Sequence, residues 1–235
     1  SDYSNFIRTK IGTMKIFIRD KVINTLCKII LPFYGLIIVL LALFFLSKGS
    51  LWLCLGVLYL LPVCTWRMIN FFYPLIEGKS YIAGDTFSPW LSSYRIQEIY
   101  IKLPFLERFI LLVPFLFNLW LRAWGAKIGK RVLFAPNTTI VDRPGIEIGD
   151  YVYLGDQCYF SSHLILEKDK KFICLYKKIR IEEDCFIGAF TKFAPGAKVR
   201  KGSRVRTFSF FRINSDVAES FVASEQEKVM HANRL

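Results

Sequence analysis

The chain carries two histidines, His163 and His231. Imidazole titrates nearest neutral pH and serves most readily as a general base. His231 lies in a polar C-terminal stretch and reads as an exposed helix residue. His163 follows Phe160-Ser161-Ser162 and stands just ahead of a long break in the sequence pattern, with Glu167 and Asp169 a few residues on. Either carboxylate could orient the ring, although loop carboxylates are ordinarily just solvated, and a loop histidine without a role is the plain alternative. A positioned base takes a proton from a hydroxyl or amine as that group attacks an electrophile. Such a site also needs a donor, often a backbone N–H, for the developing oxyanion. A second concentration of charge follows in Lys192, Lys198, Arg200, Lys201, Arg204 and Arg206, either a phosphate-binding face or a solvated basic one. There is no glycine-rich nucleotide loop and no hydrolase serine elbow. No CxxC spacing exists, and two histidines cannot build a three-histidine zinc site, so no metal is expected.

These residues ride on a six-residue beat. Apolar anchors stand at Ile128, Phe134 and Ile140, at Ile148, Leu154 and Phe160, and at Ile181, Ile187, Phe193, Val199 and Val205. Four residues after most anchors comes a slim residue: Val132, Thr138, Val152, Cys158, Cys185, Thr191, Ala197, Ser203 and Ser209, with Pro144 and Leu164 as the exceptions. A period of six suits neither a helix nor a simple alternating strand. It suits a chain wound around a triangular prism, three short strands to a coil, with anchors and slim residues pointing inward. The coils are 128–145, 148–165 and 181–198, with a partial fourth from Val199. The register breaks twice, at Ile146-Glu147 and at 166–180, each time after a complete coil, so both insertions leave from one corner. Solenoids often carry their binding loops on one such face. His163 sits at that corner with an outward hexad position. Cys158 and Cys185 fall on the slim inward position and act as small apolar fillers.

Gly149-Asp150, Gly155-Asp156 and Ile187-Gly188-Ala189, followed by Ala194-Pro195-Gly196, resemble the left-handed β-helix hexapeptide-repeat transferases, and Ile181 to Val205 resembles the C-terminal coils of their acyltransferase branch. A longer resemblance, through Gly78 to Tyr94 and Trp120 to Gly129, is to the membrane-attached hexapeptide domains that end some peptide-synthetase-like enzymes, the poly-lysine synthases among them. In that group a histidine stands just before the loop, as His163-Leu164 does here; its downstream charge pattern is matched only loosely by Glu167, Lys168 and Lys171. The resemblance implies acyl-CoA, acetyl-CoA foremost, as co-substrate, and a histidine at the position of His163; the residues themselves make His163 the expected base and Glu167 the carboxylate expected to orient it. The resemblance further implies a backbone donor at Gly188-Ala189, and last coils, with Ala194, Lys198 and Lys201, that hold the CoA arm and its phosphates. It implies three prisms packed in parallel as a homotrimer, the donor lying between neighbours.

The first half is a different material. Residues 29–46 and 51–66 are free of charge and separated by Ser47-Lys48-Gly49-Ser50. The first is long enough for a transmembrane helix and the second marginal. Both are apolar all round, unlike a surface helix, although a buried hairpin of a soluble domain has the same composition. Arg8, Lys10, Lys15, Arg19, Lys21 and Lys28 precede the hairpin and Arg67 follows it, which places both ends, and the β-helix, on the cytoplasmic side of a bacterial inner membrane. Residues 6–27 read as a basic amphipathic helix on an anionic leaflet, or as one packed on the protein itself. Residues 103–121 read as an interfacial segment delivering the chain into the β-helix. The net charge of +13 fits an anionic leaflet, and no motif points to nucleic acid.

The expectation is therefore an α+β membrane protein. Residues 1–124 form transmembrane and interfacial helices, 125–213 a left-handed parallel β-helix, and 214–235 a polar tail. The expected activity is transfer of an acyl group from acyl-CoA to a hydroxyl or amine of a lipid-linked or envelope acceptor. A catalytically silent trimeric scaffold on the membrane is the rival reading.

Overall fold

A computed structural model describes residues 25, 27, 29–82, 87–168 and 171–217. After a short turn at Leu31–Phe33, helix α1 runs Tyr34–Ser47. Gly49 ends it at φ +75: the Gly49 and Ser50 amides return to Leu46 O and Phe45 O, the paired closure that a left-handed residue permits. Helix α2 follows over Leu51–Phe72, with one wide turn at Gly56–Leu60. Among the described residues it is the one helix long and apolar enough to cross a membrane, whereas Leu31–Ser47 is shorter. This reverses the expected order of the two runs. The second helix continues past Arg67 because nothing stops it before Tyr73, which precedes Pro74 and turns extended.

Helix α3 (Pro89–Lys102) begins on a Ser88 cap whose hydroxyl accepts from the Leu91 amide, with proline at its first position. Helices α4 (Phe105–Leu111) and α5 (Pro114–Trp124) replace the single interfacial segment expected at 103–121. Together α2, α4 and α5 border an apolar groove of about 770 Å³ that includes Trp52, Tyr59, Phe105 and Phe109.

The six-residue beat becomes three parallel sheets stacked as a β-helix. Ile128, Ile148, Ile181, Val199 and Val217 lie in register on the first face. Phe134, Leu154, Ile187 and Val205 share the second, and Ile140, Phe160, Phe193 and Phe211 the third. Inside, Phe160, Phe193 and Phe211 stack at 4.7 Å from ring to ring, the spacing of neighbouring strands. The arrangement fits a left-handed β-helix. Its fourth coil is complete and a fifth begins at Asp216–Val217, which pairs with Lys198–Val199. The boundary expected at 213 therefore moves out to 217 at least. Of the tail, 218–235 lies outside the described residues, as do 1–24, where most of the expected amphipathic helix falls.

The corners have their own rule. Three residues after an anchor the backbone turns left-handed, at Arg131, Tyr151, Gln157, Asp184, Phe190, Phe208 and Asn214, and at Gly196 and Gly202, with Asn137 in the first coil an exception. Where the third face returns to the first, the rule holds at Gly196 and Asn214. It fails one and two coils earlier, at His163 and Arg143. There the chain is diverted. Ile146–Ile148 lengthens the first face by the two inserted residues, pairing with Ile179–Ile181. The longer insertion is an antiparallel hairpin, His163–Lys168 with Lys171–Tyr176, and Gly78–Tyr81 adds a third strand from the helical half.

The helical half also caps the first coil. Arg122 donates to Ile128 O and Gly129 O, both at 2.8 Å, and Asn118 Nδ2 donates to Val132 O at 3.0 Å. Phe117 packs edge-on against Phe134. Open strand carbonyls are thereby satisfied, and an exposed sheet edge is removed.

Candidate active site

Strand register builds the site. Because Ile140 stacks on Phe160, the corner residues beyond them also lie one above the other, and this brings Asp142 next to Ser162 and His163. His163 Nδ1 is 2.7 Å from Asp142 Oδ2. The same oxygen accepts the Ser162 amide at 2.9 Å, and Oδ1 accepts the Trp90 indole N–H at 3.1 Å. Asp142 is buried, at 2% exposure. A buried carboxylate facing two obligate donors is held as an acceptor, so the neutral imidazole carries its proton on Nδ1 and presents Nε2 as the basic nitrogen. The His163 ring lies 4.6 Å from that of Trp90 and 5.7 Å from that of Tyr94. Gly145 is needed beneath: a Cβ there would collide with the Ser162 side chain, whose hydroxyl donates to Gly145 O.

The surroundings are largely apolar. Trp90, Cys174 and Tyr176 form a small apolar cluster under the hairpin. Burial, with the Asp142 charge added, pushes the Cys174 thiol up to about 12, which leaves it inert as a nucleophile. The Tyr176 phenol is raised for the same two reasons. Next to Asp142, Arg143 is fully buried. Its guanidinium meets both Glu107 oxygens at 2.6 Å, its backbone N–H donates to Gln97 Oε1 at 2.8 Å, and it stacks over Tyr100.

His163 is thus where the sequence placed it, but its expected partner is not. Glu167 lies four residues along the hairpin strand, exposed and opposite Phe172. In a strand that separation is about 13 Å, so the carboxylate on the imidazole is Asp142. Asp169 and His231 lie outside the described residues.

The residues expected to bind the donor do not converge with His163 in one chain. Gly188 and Ala189 occupy the corner between the second and third faces. Ala194 is at the His163 corner, one coil below Ser161, its amide bonded to Phe211 O. Lys198 lies on the first face, 2.9 Å from Glu182, and Lys201 at the next corner pairs with Glu183. Both lysines line a groove of about 490 Å³ with Lys127, Arg180, Glu147, Glu182 and Glu183, so its cations are largely balanced. Among the described residues no cluster of three His, Cys, Asp or Glu is placed to hold a metal.

Sequence reasoning missed Asp142 and Trp90. Asp142-Arg143-Pro144-Gly145 does break the slim-residue rule at Pro144, which marked the corner without revealing the carboxylate. Trp90, Tyr94 and Gln97 recur at helical spacing, a face whose partner only the fold identifies.

No protein-family model matches the chain, and no curated protein matches it in sequence. Solved structures similar to it are hexapeptide-repeat acyltransferases. A hexapeptide-repeat acetyltransferase of Vibrio cholerae, solved with acetyl coenzyme A, is 20% identical over 39% of this chain, with a TM-score of 0.32; the chain spans 62% of that protein. A polysialic-acid-specific acetyltransferase is 17% identical over 47% of this chain and 64% of its own, with a TM-score of 0.30. A truncated serine acetyltransferase is 15% identical over 95% of this chain and 91% of its own, with a TM-score of 0.27. What these neighbours bind or modify is a property of those proteins.

Proposed function

We propose that the chain is a membrane-anchored acyltransferase in which His163 is the general base and Asp142 its orienting partner. The observation that carries this reading is the buried Asp142 carboxylate 2.7 Å from His163 Nδ1, at the one corner where the coil rule is broken twice. His163 Nε2 takes the proton of an acceptor hydroxyl or amine as that group attacks the thioester carbonyl of acyl-CoA. The tetrahedral intermediate collapses, the C–S bond breaks, and the proton passes to the departing CoA thiolate. The donor is acyl-CoA, acetyl-CoA first, as the resemblance of the repeat coils implies, and the membrane-attached poly-lysine-synthase-type domains are its model. The acceptor is a lipid-linked or envelope molecule.

The anchor rests on Leu51–Phe72 and the apolar surface around it. The basic residues flanking the hairpin put the β-helix on the cytoplasmic side of an inner membrane, where acyl-CoA is found. Assembly is a homotrimer. Tyr153 stacks on Phe186 and Phe190 on Phe208 along the outside of the prism, an exposed aromatic column suited to a neighbouring prism. Gly188, Ala189, Lys198 and Lys201, apart from His163 in one chain, would be supplied by the neighbour.

The second reading, a silent trimeric scaffold, is favoured by one observation: Lys198 and Lys201 are already paired with carboxylates. Thermal unfolding of the purified protein in mild detergent, with and without acetyl-CoA, separates the two. A ligand that binds only the folded state at a hundred times its Kd adds about 2.7 kcal/mol, a clear rise in melting temperature. Absence of any shift with acetyl-, succinyl- or long-chain acyl-CoA at millimolar concentration leaves the scaffold.

A further inference from the structure

Trp90 belongs to helix α3, outside the β-helix, yet it touches both members of the catalytic pair. Its indole N–H donates to Asp142 Oδ1, and its ring lies 4.6 Å from the His163 ring. Asp142 offers two oxygens. The one facing His163 is already fixed by the Ser162 amide, and among the described residues the other is fixed by Trp90. The indole therefore sets the plane of the carboxylate and walls one side of the imidazole. Trp90 is 3% exposed and packs on Cys174 and Tyr176 of the hairpin, so neither contact is available to water. Further along the same helix face, Gln97 Oε1 accepts the Arg143 amide, the residue after Asp142.

We propose that Trp90 is a positioning residue for the His163 base, so that the helical half is part of the catalytic apparatus as well as an anchor. This rests on the acyltransfer reading for its kinetic arm and on geometry alone for its spectroscopic arm. Trp90 locks the carboxylate so that His163 is held with its proton on Nδ1 and Nε2 free. Without the indole N–H the carboxylate rotates about its Cβ–Cγ bond, and the imidazole samples its other tautomer.

The test is W90F in the full chain in detergent, labelled with ¹⁵N-histidine. With two histidines in the chain, the His163 ring nitrogens are assigned by comparison with H231A. Wild type should show His163 as the Nδ1–H tautomer, and W90F a mixture. In acyl transfer W90F should lose about ten- to a hundredfold in kcat, the worth of one hydrogen bond to a charged group, with KM for acyl-CoA within about twofold. Unchanged tautomer and unchanged kcat in folded W90F overturn the proposal. Should W90F fail to fold, the wild type decides. Across a pH series the Trp90 indole N–H resonance must move in step with the His163 ring nitrogens; an indole signal that stays fixed while they move overturns the proposal. If wild type transfers no acyl group while the tautomer is locked and W90F releases it, the acyltransfer reading falls and the positioning role stands.

Discussion

Replacing Asp142 with asparagine tests the site most sharply, because the three donors around the carboxylate leave no comfortable amide. If the amide oxygen takes the Oδ2 position, it still accepts from the Ser162 amide and His163 Nδ1, and its NH2 then faces the Trp90 N–H, donor against donor. If the amide is flipped, its oxygen accepts the Trp90 N–H, its NH2 donates to His163 Nδ1 once the ring takes the Nε2–H tautomer, and the Ser162 amide is left facing a donor. Either arrangement leaves one donor pair unmade and removes the negative charge, and the flipped one also puts the ring proton on Nε2. One buried donor pair left unmade costs about 1–3 kcal/mol of stability. The imidazolium formed during proton transfer loses its counter-charge. At an effective dielectric of about 20 and about 4 Å between charge centres, that attraction is at most about 4 kcal/mol. His163 is partly open to solvent, so about 2–4 kcal/mol is the working range, or about thirtyfold to a thousandfold in kcat. The readouts are the melting temperature and the initial rate at saturating substrates. The double variant W90F/D142N adds a second check. Without the indole N–H the first arrangement has no donor clash, so the combined destabilisation should fall short of the sum by about 1–2 kcal/mol. D142N with wild-type rate and melting, or a strictly additive cycle, would refute the reasoning.

H163A should lower acyl transfer by about two to four orders of magnitude while the acyl-CoA-induced melting shift survives; E167Q and H231A should change the rate by less than about twofold, measured in the same assay. E107A leaves the Arg143 guanidinium buried without its partner and should cost about 3–5 kcal/mol in denaturant or thermal unfolding. Glu147 is opposed by burial, but hydrogen bonds from Lys178 and Lys127 outweigh it and bring its carboxyl down to about 2. A depressed carboxylate stabilises the fold above its unfolded range and loses that contribution as pH falls, so melting should drop between about pH 4.5 and 2, and E147Q should flatten that part of the profile. Single-cysteine variants in intact cells should be labelled from outside at the Ser47–Ser50 turn and protected at Lys130; the reverse pattern, or release of the protein by salt without detergent, removes the membrane topology.

How much of this was legible in the sequence follows from how far apart the interacting residues are along the chain. The β-helix was legible because each coil repeats its own signal locally, an inward anchor and a slim residue four later. The same signal continues through Phe211, Ser215 and Val217, where a charged, polar surrounding disguised it. His163 was legible because it stands where the beat stops. Its partner was not. Asp142 lies one coil upstream and meets His163 only through the stacking of Ile140 on Phe160, whereas Glu167 was near in sequence and was carried off by an extended strand. Trp90 was further still, because nothing in a helix says which solenoid corner it will meet. Helix α2 was read too short for a related reason: Arg67 looked like an end, but its guanidinium is spent on Ala123 O and Arg122 O at the C-terminus of α5.

The polar contacts between the two halves explain why the seam can hold the His163–Asp142 pair in one geometry. Helices α3 to α5 cover the first coil largely with apolar side chains, and an apolar face alone sets its axial position weakly. Here three polar contacts read the same corner: Trp90 to Asp142, Gln97 to the Arg143 amide, and Glu107 to the Arg143 guanidinium. A slip of helix α3 by one turn, about 5.4 Å, would break the first two and pull at the third through the short link to α4. It would leave a buried carboxylate and a buried guanidinium unmatched, at a cost of several kcal/mol. An ion pair of this kind adds little net stability over an apolar substitute, but it penalises every other seating. The seating it selects is the one in which Trp90 meets Asp142, so the docking of the helical half and the orientation of His163 are one structural decision.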